Sequence, residues 1–251
     1  MLVDLFEAFG FGPGVIVAAV GAGGKTSLVF SLANEAAARG FAAAVTTTVR
    51  FTRPRGIAMP RCIETTAEGL ATAFAREMRP GEARTFISAE VEAGRMTGFP
   101  AEVVSKLPPG DYVLAIEADG SAHRPFKAPA AHEPAIPASA TDVVVCVGLS
   151  VLGHPLSDHW VHRPGLVSDL TKVATGAPVT ADVIVETLLH AEGGRKCVPE
   201  GARLHALLNR PLTPEHHAVA NHIAARLVYG GYNTAVIATA HEAGAIHGVV
   251  R

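Results

Sequence analysis

The chain is poor in several features that would each announce a function class. Its three cysteines, Cys62, Cys146 and Cys197, are odd in number, far apart and without C-x-x-C spacing. That argues against a disulfide frame or a cysteine zinc site and suits reduced thiols. Charged residues are only 18% of the chain, below the ~25% of ordinary soluble domains. There is no run of Lys or Arg, and the formal net charge is −2. Such a chain carries no footprint for a phosphate backbone, so nucleic acid is excluded as an expected partner. No apolar segment approaches the ~20 residues that span a bilayer. The start, Met1-Leu-Val-Asp-Leu-Phe-Glu, lacks the basic opening of a secretory leader, and a cytoplasmic location is expected. The densest histidines, His154, His159 and His162, match no standard zinc spacing. Internal repeats and low-complexity linkers are also missing.

What is present is an alternation of short apolar runs with helical patterns. Residues 15–20 form an apolar run closed by glycine, as a buried parallel strand would be, and 26–39 place Leu28, Leu32 and Ala36 at helical spacing before Gly40. Further strands are expected at 42–45, 112–116, 142–147, 204–208 and, last, 234–238, with a strand or hairpin arm at 84–91. Helices are expected at 67–79, 101–107, 166–174, 181–191 and 214–229, with a loop at 50–61. Four prolines between Ser121 and Ser139 make that stretch an irregular insertion, because proline removes a donor and disfavours helix before it. The pattern predicts an α/β fold: a mostly parallel sheet with helices on both faces in one domain over 1–251, of the phosphate-loop NTPase type, with the Pro-rich insertion at the carboxyl edge of the sheet. The ligand is expected at that edge.

The strongest motif is Gly21-Ala22-Gly23-Gly24-Lys25-Thr26-Ser27, following the first strand and opening the first long helix. Closely spaced glycines allow backbone N–H groups to turn around a polyphosphate, and the helix presents its positive end to the same anion. Lys25 is expected to reach the β and γ phosphates and Thr26 to ligate Mg²⁺. The loop is a variant, since the glycine wanted five residues before Gly24 is Ala19.

Glu117 and Asp119 close the strand at 112–116 and share a face in extended geometry. Phosphate-loop enzymes keep an acid there for Mg²⁺, and either residue suits the position. Thr47, within Thr46-Thr47-Thr48, is a further hydroxyl for the metal or the γ phosphate. Lys127, with Arg124 nearby, is a cation available to neutralise a transferring phosphoryl group. Asn209 in Leu207-Leu208-Asn209-Arg210 fits the first position of an Asn-Lys-x-Asp base-reading motif. Arg210 and Leu212 depart from that motif, leaving ATP and GTP both open as the nucleoside triphosphate.

GAGGKTS, the three threonines, Glu117-Ala-Asp-Gly-Ser121, the stretch from Lys127 to Pro134, His162-Arg163-Pro164 and the Leu-Leu-Asn-Arg segment stand in this order. With them the chain resembles the YqeC-like family, described as accessory proteins of selenium-dependent molybdenum hydroxylases. The resemblance runs from about Val15 to the strand at 234–238. It implies a phosphate-loop NTPase fold, a role in maturing a selenium- or molybdenum-containing cofactor, and molybdenum hydroxylase or cofactor-maturation proteins as partners. It maps Lys25 and Thr26 to the nucleotide loop, Glu117 and Asp119 to the acidic strand end, and Lys127, His132 and Glu133 to the family stretch. Three functions stay open: a Mg²⁺-dependent NTPase or phosphotransferase, a non-catalytic carrier of a nucleotide-bearing cofactor such as a molybdopterin dinucleotide, and a nucleotide-gated interaction module.

Overall fold

A computed structural model describes residues 3–92, 94–242 and 245–251. In chain order the elements are α1 (Leu5–Ala8), β1 (Ile16–Gly21), α2 (Lys25–Ala38), β2 (Ala42–Thr47), β3 (Arg50–Thr52), β4 (Arg61–Glu64), α3 (Leu70–Glu77), β5 (Ala83–Ile87), β6 (Ala89–Glu92), β7 (Arg95–Thr97) and α4 (Ala101–Val104). There follow β8 (Tyr112–Glu117), β9 (Phe126–Lys127), β10 (Asp142–Gly148), β11 (Val161–His162), α5 (Pro164–Thr171), α6 (Ala181–Leu189), β12 (Arg203–Asn209), α7 (Pro214–Tyr229), β13 (Thr234–Ala238) and β14 (Ile246–Val250).

Nine strands form one sheet in the order β14-β13-β12-β10-β1-β8-β2-β5-β4. Every pairing in it is parallel except β13 with β14. The central strands are apolar throughout because both faces are covered, and their two-residue period sorts them into two cores. Val17 and Ala19 of β1, Val113 and Ala115 of β8, and Val144 and Cys146 of β10 pack with α1 and α2. Ala18 and Val20, Leu114 and Ile116, and Val143 and Val145 face α3, α6 and α7. Burying each such Val, Leu or Ile contributes roughly 1.5–3 kcal/mol, so a register slip of one residue would exchange the two cores.

The chain leaves β1 for β2 on one side, returns through β8, and then crosses to β10 on the other side of β1. Strand order therefore reverses at β1, and the crevice beyond its carboxyl end is where an open α/β sheet binds ligands.

Several elements depart from the sequence reading. The expected last strand, β13, is followed by the antiparallel edge strand β14, whose short Ile-His-Gly-Val-Val run carries little alternation. The loop expected at 50–61 begins with β3. The strand or hairpin arm expected over 84–91 breaks after β5 and turns into β6, and β3, β7 and β6 make a separate antiparallel sheet. Alternation buries Phe51 and Met96, with Phe51 against Phe30 of α2 at 5.9 Å. The small sheet is joined to β2 at Gly98, where any Cβ would collide with the Thr47 carbonyl. Within the Pro-rich insertion only β9 forms, paired parallel with β11. Helix α5 stops at Thr171 because Lys172 adopts a left-handed conformation (φ 60°).

Candidate functional site

The β1–α2 junction is built by glycine. Gly21, Gly23 and Gly24 have φ of 79°, 80° and 135°, conformations that side chains rarely tolerate. A Cβ on Gly21 would lie 2.5 Å from the Cys146 carbonyl, and one on Gly23 would strike the backbone of Gly148 and Pro125. The loop is thus pressed against β10 on one side. Ala22 N donates to Cys146 O at 2.9 Å. The N–H groups of Gly23, Gly24, Lys25, Thr26 and Ser27 have no protein acceptor among the described residues, as the opening of a helix leaves them. They line an open cleft.

Lys25 is buried to 3% exposure. Its Nζ donates to Gly21 O at 2.8 Å and to Ser121 Oγ at 3.1 Å, which leaves one of three ammonium protons for another acceptor. Thr26 Oγ1 donates to Glu117 Oε2 at 2.7 Å. Burial pushes the Glu117 carboxyl above its ordinary pKa, against the pull of Lys25 and the Thr26 hydroxyl. The described residues contain no cluster of three or more His, Cys, Asp or Glu able to hold a metal. The oxygens of Thr26 and Glu117 are instead the hard donors that suit Mg²⁺, an ion commonly held by one or two carboxylates together with ligand phosphates.

Asp119, Lys127 and Thr47, expected at the metal or the phosphates, are each engaged by partners inside the protein. Asp119 Oδ2 accepts from Gly21 N at 3.0 Å and Oδ1 from Lys127 Nζ at 2.6 Å, so both oxygens hold the loop. Burial raises its pKa while Lys127 and Lys25 oppose the rise. Lys127 is 4% exposed, and its Nζ also donates to Gly120 O and Glu133 Oε2, each at 2.6 Å. All three of its protons are engaged inside the protein. Glu133 receives the guanidinium of Arg163 at 2.5 and 2.9 Å. Burial would raise the Glu133 pKa, but Arg163 and Lys127 outweigh it and bring the group down to about 2. The family stretch and the His-Arg-Pro segment thereby join in one chain, Asp119–Lys127–Glu133–Arg163, buried at its first two members and half-buried at the other two, while His132 stays exposed. Thr47 Oγ1 donates to Glu117 O at 2.7 Å and accepts from Val49 N at 3.1 Å, fixing the ends of β2 and β8 to each other.

Asn209 lies against the loop. Its Nδ2 donates to Gly23 O at 2.8 Å and its Oδ1 accepts from Ala240 N at 3.0 Å. A Cβ on Gly24 would meet the same amide. Both ends of the side chain therefore brace the backbone. Around it opens a second cleft, lined by Asn209, Arg210, His159, Trp160 and Arg55. Of the histidine group, His154 stacks on Trp160 at 3.6 Å and His159 meets that ring edge-on.

Sequence reasoning did not single out Ser121 as the partner of Lys25, nor Arg50 and Arg95, which line the first cleft. Ser121 was legible in principle, standing two residues beyond Asp119. The arginines were not, because only the pairing of β3 with β7 brings them to the loop.

No helix among the described residues is long and apolar enough to cross a membrane. No solved structure matches the chain. The chain is 34% identical over 206 residues, 78% of its length and 75% of the relative's, to the protein of Escherichia coli (strain K12) described as uncharacterized protein YqeC. The family model described as YqeC protein matches residues 17–165, the span that holds the glycine loop, both acids and the Lys127–Glu133–Arg163 chain. The chain belongs to the YqeC family.

Proposed function

We propose that this chain is a phosphate-loop protein that binds a nucleoside triphosphate with Mg²⁺ and acts as an NTPase or phosphotransferase in the maturation of a selenium- or molybdenum-containing hydroxylase cofactor. The observation that carries the reading is convergence: five unpaired N–H groups, the Lys25 ammonium and the Thr26–Glu117 pair border one cleft. Amides and ammonium bind the β and γ phosphates. Thr26 and Glu117 hold Mg²⁺, which neutralises charge on the phosphates when bound. Asp119 acts through the loop, fixing the Gly21 amide, and Lys127 fixes Asp119. Asn209 acts likewise through Gly23. The place in cofactor maturation, and the hydroxylase or maturation proteins as partners, rest on the family resemblance.

Calorimetry with Mg²⁺ and ATP, GTP or CTP tests the reading. The parent is expected to bind at least one of them, and Lys25→Ala is expected to lose tenfold or more in affinity, about 1.4 kcal/mol or greater. Absence of binding by the parent, or equal binding by the variant, removes the assignment. A carrier of a nucleotide-bearing cofactor is the second reading. It is favoured by Glu117 being the one carboxylate lining that cleft among the described residues, with its Oε2 already accepting from Thr26 Oγ1. Tight binding without turnover, with or without an added acceptor, would select it.

A further inference from the structure

A nucleotide on the glycine loop would border two clefts, which differ in what lines them. Gly23, Gly24, Thr26 and Ser27 line both, Lys25 and Glu117 only the first, Trp160 and Asn209 only the second. In the reading proposed above, the γ phosphate and Mg²⁺ lie with Lys25, Thr26 and Glu117. The nucleoside therefore leaves through the second cleft, whose volume of about 780 Å³ is that of a small-molecule site.

Among the described residues, Trp160 is the only Phe, Tyr or Trp on the wall of that cleft, and it stands on fixed backbone. In the parallel pair β9–β11, Val161 is opposite Phe126, which sets Trp160 beside Pro125. The Pro125 carbonyl accepts from Gly148 N at 2.8 Å and would lie 2.8 Å from a Cβ on Gly23. Pro125 thus links the backbone of Trp160 to the glycine loop. His154 lies parallel to the indole at 3.6 Å and His159 meets it edge-on at 5.2 Å, which holds the ring in one orientation. His154 is not on the cleft wall, so the indole surface in the cleft is not the face that His154 covers.

The same wall offers little to read the edge of a base. Guanine presents N1–H and N2–H₂ donors, which a carboxylate would accept. No Asp or Glu lines this cleft among the described residues, and Gly23 and Ala240 take both ends of the Asn209 amide. Stacking on an aromatic ring tolerates any base, because each has a π face.

Resting on the nucleotide reading, we propose that Trp160 is the platform on which the base of the bound nucleotide stacks, and that the site takes adenine and guanine nucleotides alike because it holds the base by its face.

Trp160 is the chain's single tryptophan, so the indole fluorescence of the full chain reports this position alone. The probes are the β,γ-imido analogues of ATP and GTP and, as a ligand without a base, tripolyphosphate, each with Mg²⁺ and each followed in parallel by calorimetry. Both analogues are expected to quench the indole, and tripolyphosphate to bind without quenching it. The two analogues should bind the parent within about tenfold of each other, a difference of about 1.4 kcal/mol or less. Trp160→Leu should weaken both roughly fivefold or more, and Trp160→Phe less, with tripolyphosphate affinity kept within roughly twofold in each variant. Four results would each overturn the platform and leave the nucleotide reading standing: analogue binding without quenching, equal quenching by tripolyphosphate, a purine preference beyond about tenfold, or undiminished analogue binding by Trp160→Leu. A Trp160→Leu chain that also loses tripolyphosphate has lost its fold, and quenching in the parent then decides. A parent that binds neither analogue overturns both the platform and the nucleotide reading.

Discussion

Replacing Lys127 with methionine would leave Asp119 without its cation and Glu133 with Arg163 alone, inside a site that is nearly closed to water. Breaking a buried ion pair by removing one partner costs about 3–5 kcal/mol. Urea unfolding of Lys127→Met is expected to show a loss of that size, partly recovered in the double variant with Asp119→Asn. A loss under 1 kcal/mol would mean that the pair is not holding the loop. Gly23→Ala meets a different obstacle, because its new methyl strikes backbone rather than a movable side chain. The left-handed strain alone costs roughly 1–3 kcal/mol, and nucleotide binding should fall with stability. Gly40→Ala, also at positive φ but with open space around it, should cost stability without affecting binding. At this scale the sequence was legible where spacing carries local geometry: Gly21, Gly23 and Gly24 make the turn between β1 and α2, and Glu117 at the end of β8 meets Thr26. It was misleading where chemistry depends on what comes from elsewhere in the chain. Lys127 reads as a free cation until Asp119 and Glu133 close on it, and Asn209 reads as a base contact until Gly23 and Ala240 take both ends of its amide.

Helix α1 shows how a short element is secured. Four residues cannot hold a helix by themselves, and α1 is held by the Asp4 cap, by Phe6 in the core, and by Phe6 N donating to Glu35 of α2 at 2.8 Å. Burial is the main reason that the Glu35 pKa rises from 4.5 to about 7, helped by nearby Asp4 and opposed by the Phe6 N–H and Arg39. A raised folded-state pKa contributes stability below 4.5 that is lost as pH climbs through about 7. Glu35→Gln keeps an acceptor for Phe6 N without the buried charge. Its melting temperature is expected to equal that of the parent near pH 4 and to exceed it at pH 8; the same pH profile in both proteins would refute this. Among the elements, the central strands and α2 were readable because continuous apolar runs and i, i+4 spacing are local signals. The small sheet β3-β7-β6 was not, since each of its strands is three or four residues long and gains its stability from Phe30 and the Thr47 junction.

For the molecule as a whole, ligand binding to the folded state raises stability by mass action. At a hundred times Kd the gain is about 2.7 kcal/mol, which for a chain of this length moves the melting temperature by roughly 5–10 °C. Mg²⁺ with the preferred nucleotide is expected to produce that shift in the parent and at most about half of it in Lys25→Ala, whose affinity is tenfold or more weaker. Mg²⁺ alone should give little, because Thr26 and Glu117 supply only part of its coordination. The amide of Asn209 gives such binding a longer reach. Gly23 belongs to the loop and Ala240 to the chain leaving β13 for the edge strand β14, so one side chain couples the glycine loop to the rim of the sheet nearly the full sequence away. A tug on the loop is passed to that rim as leverage. The hairpin of β13 and β14 should accordingly exchange its amide hydrogens at a rate set by what occupies the glycine turn, a distant gauge of an event it never touches.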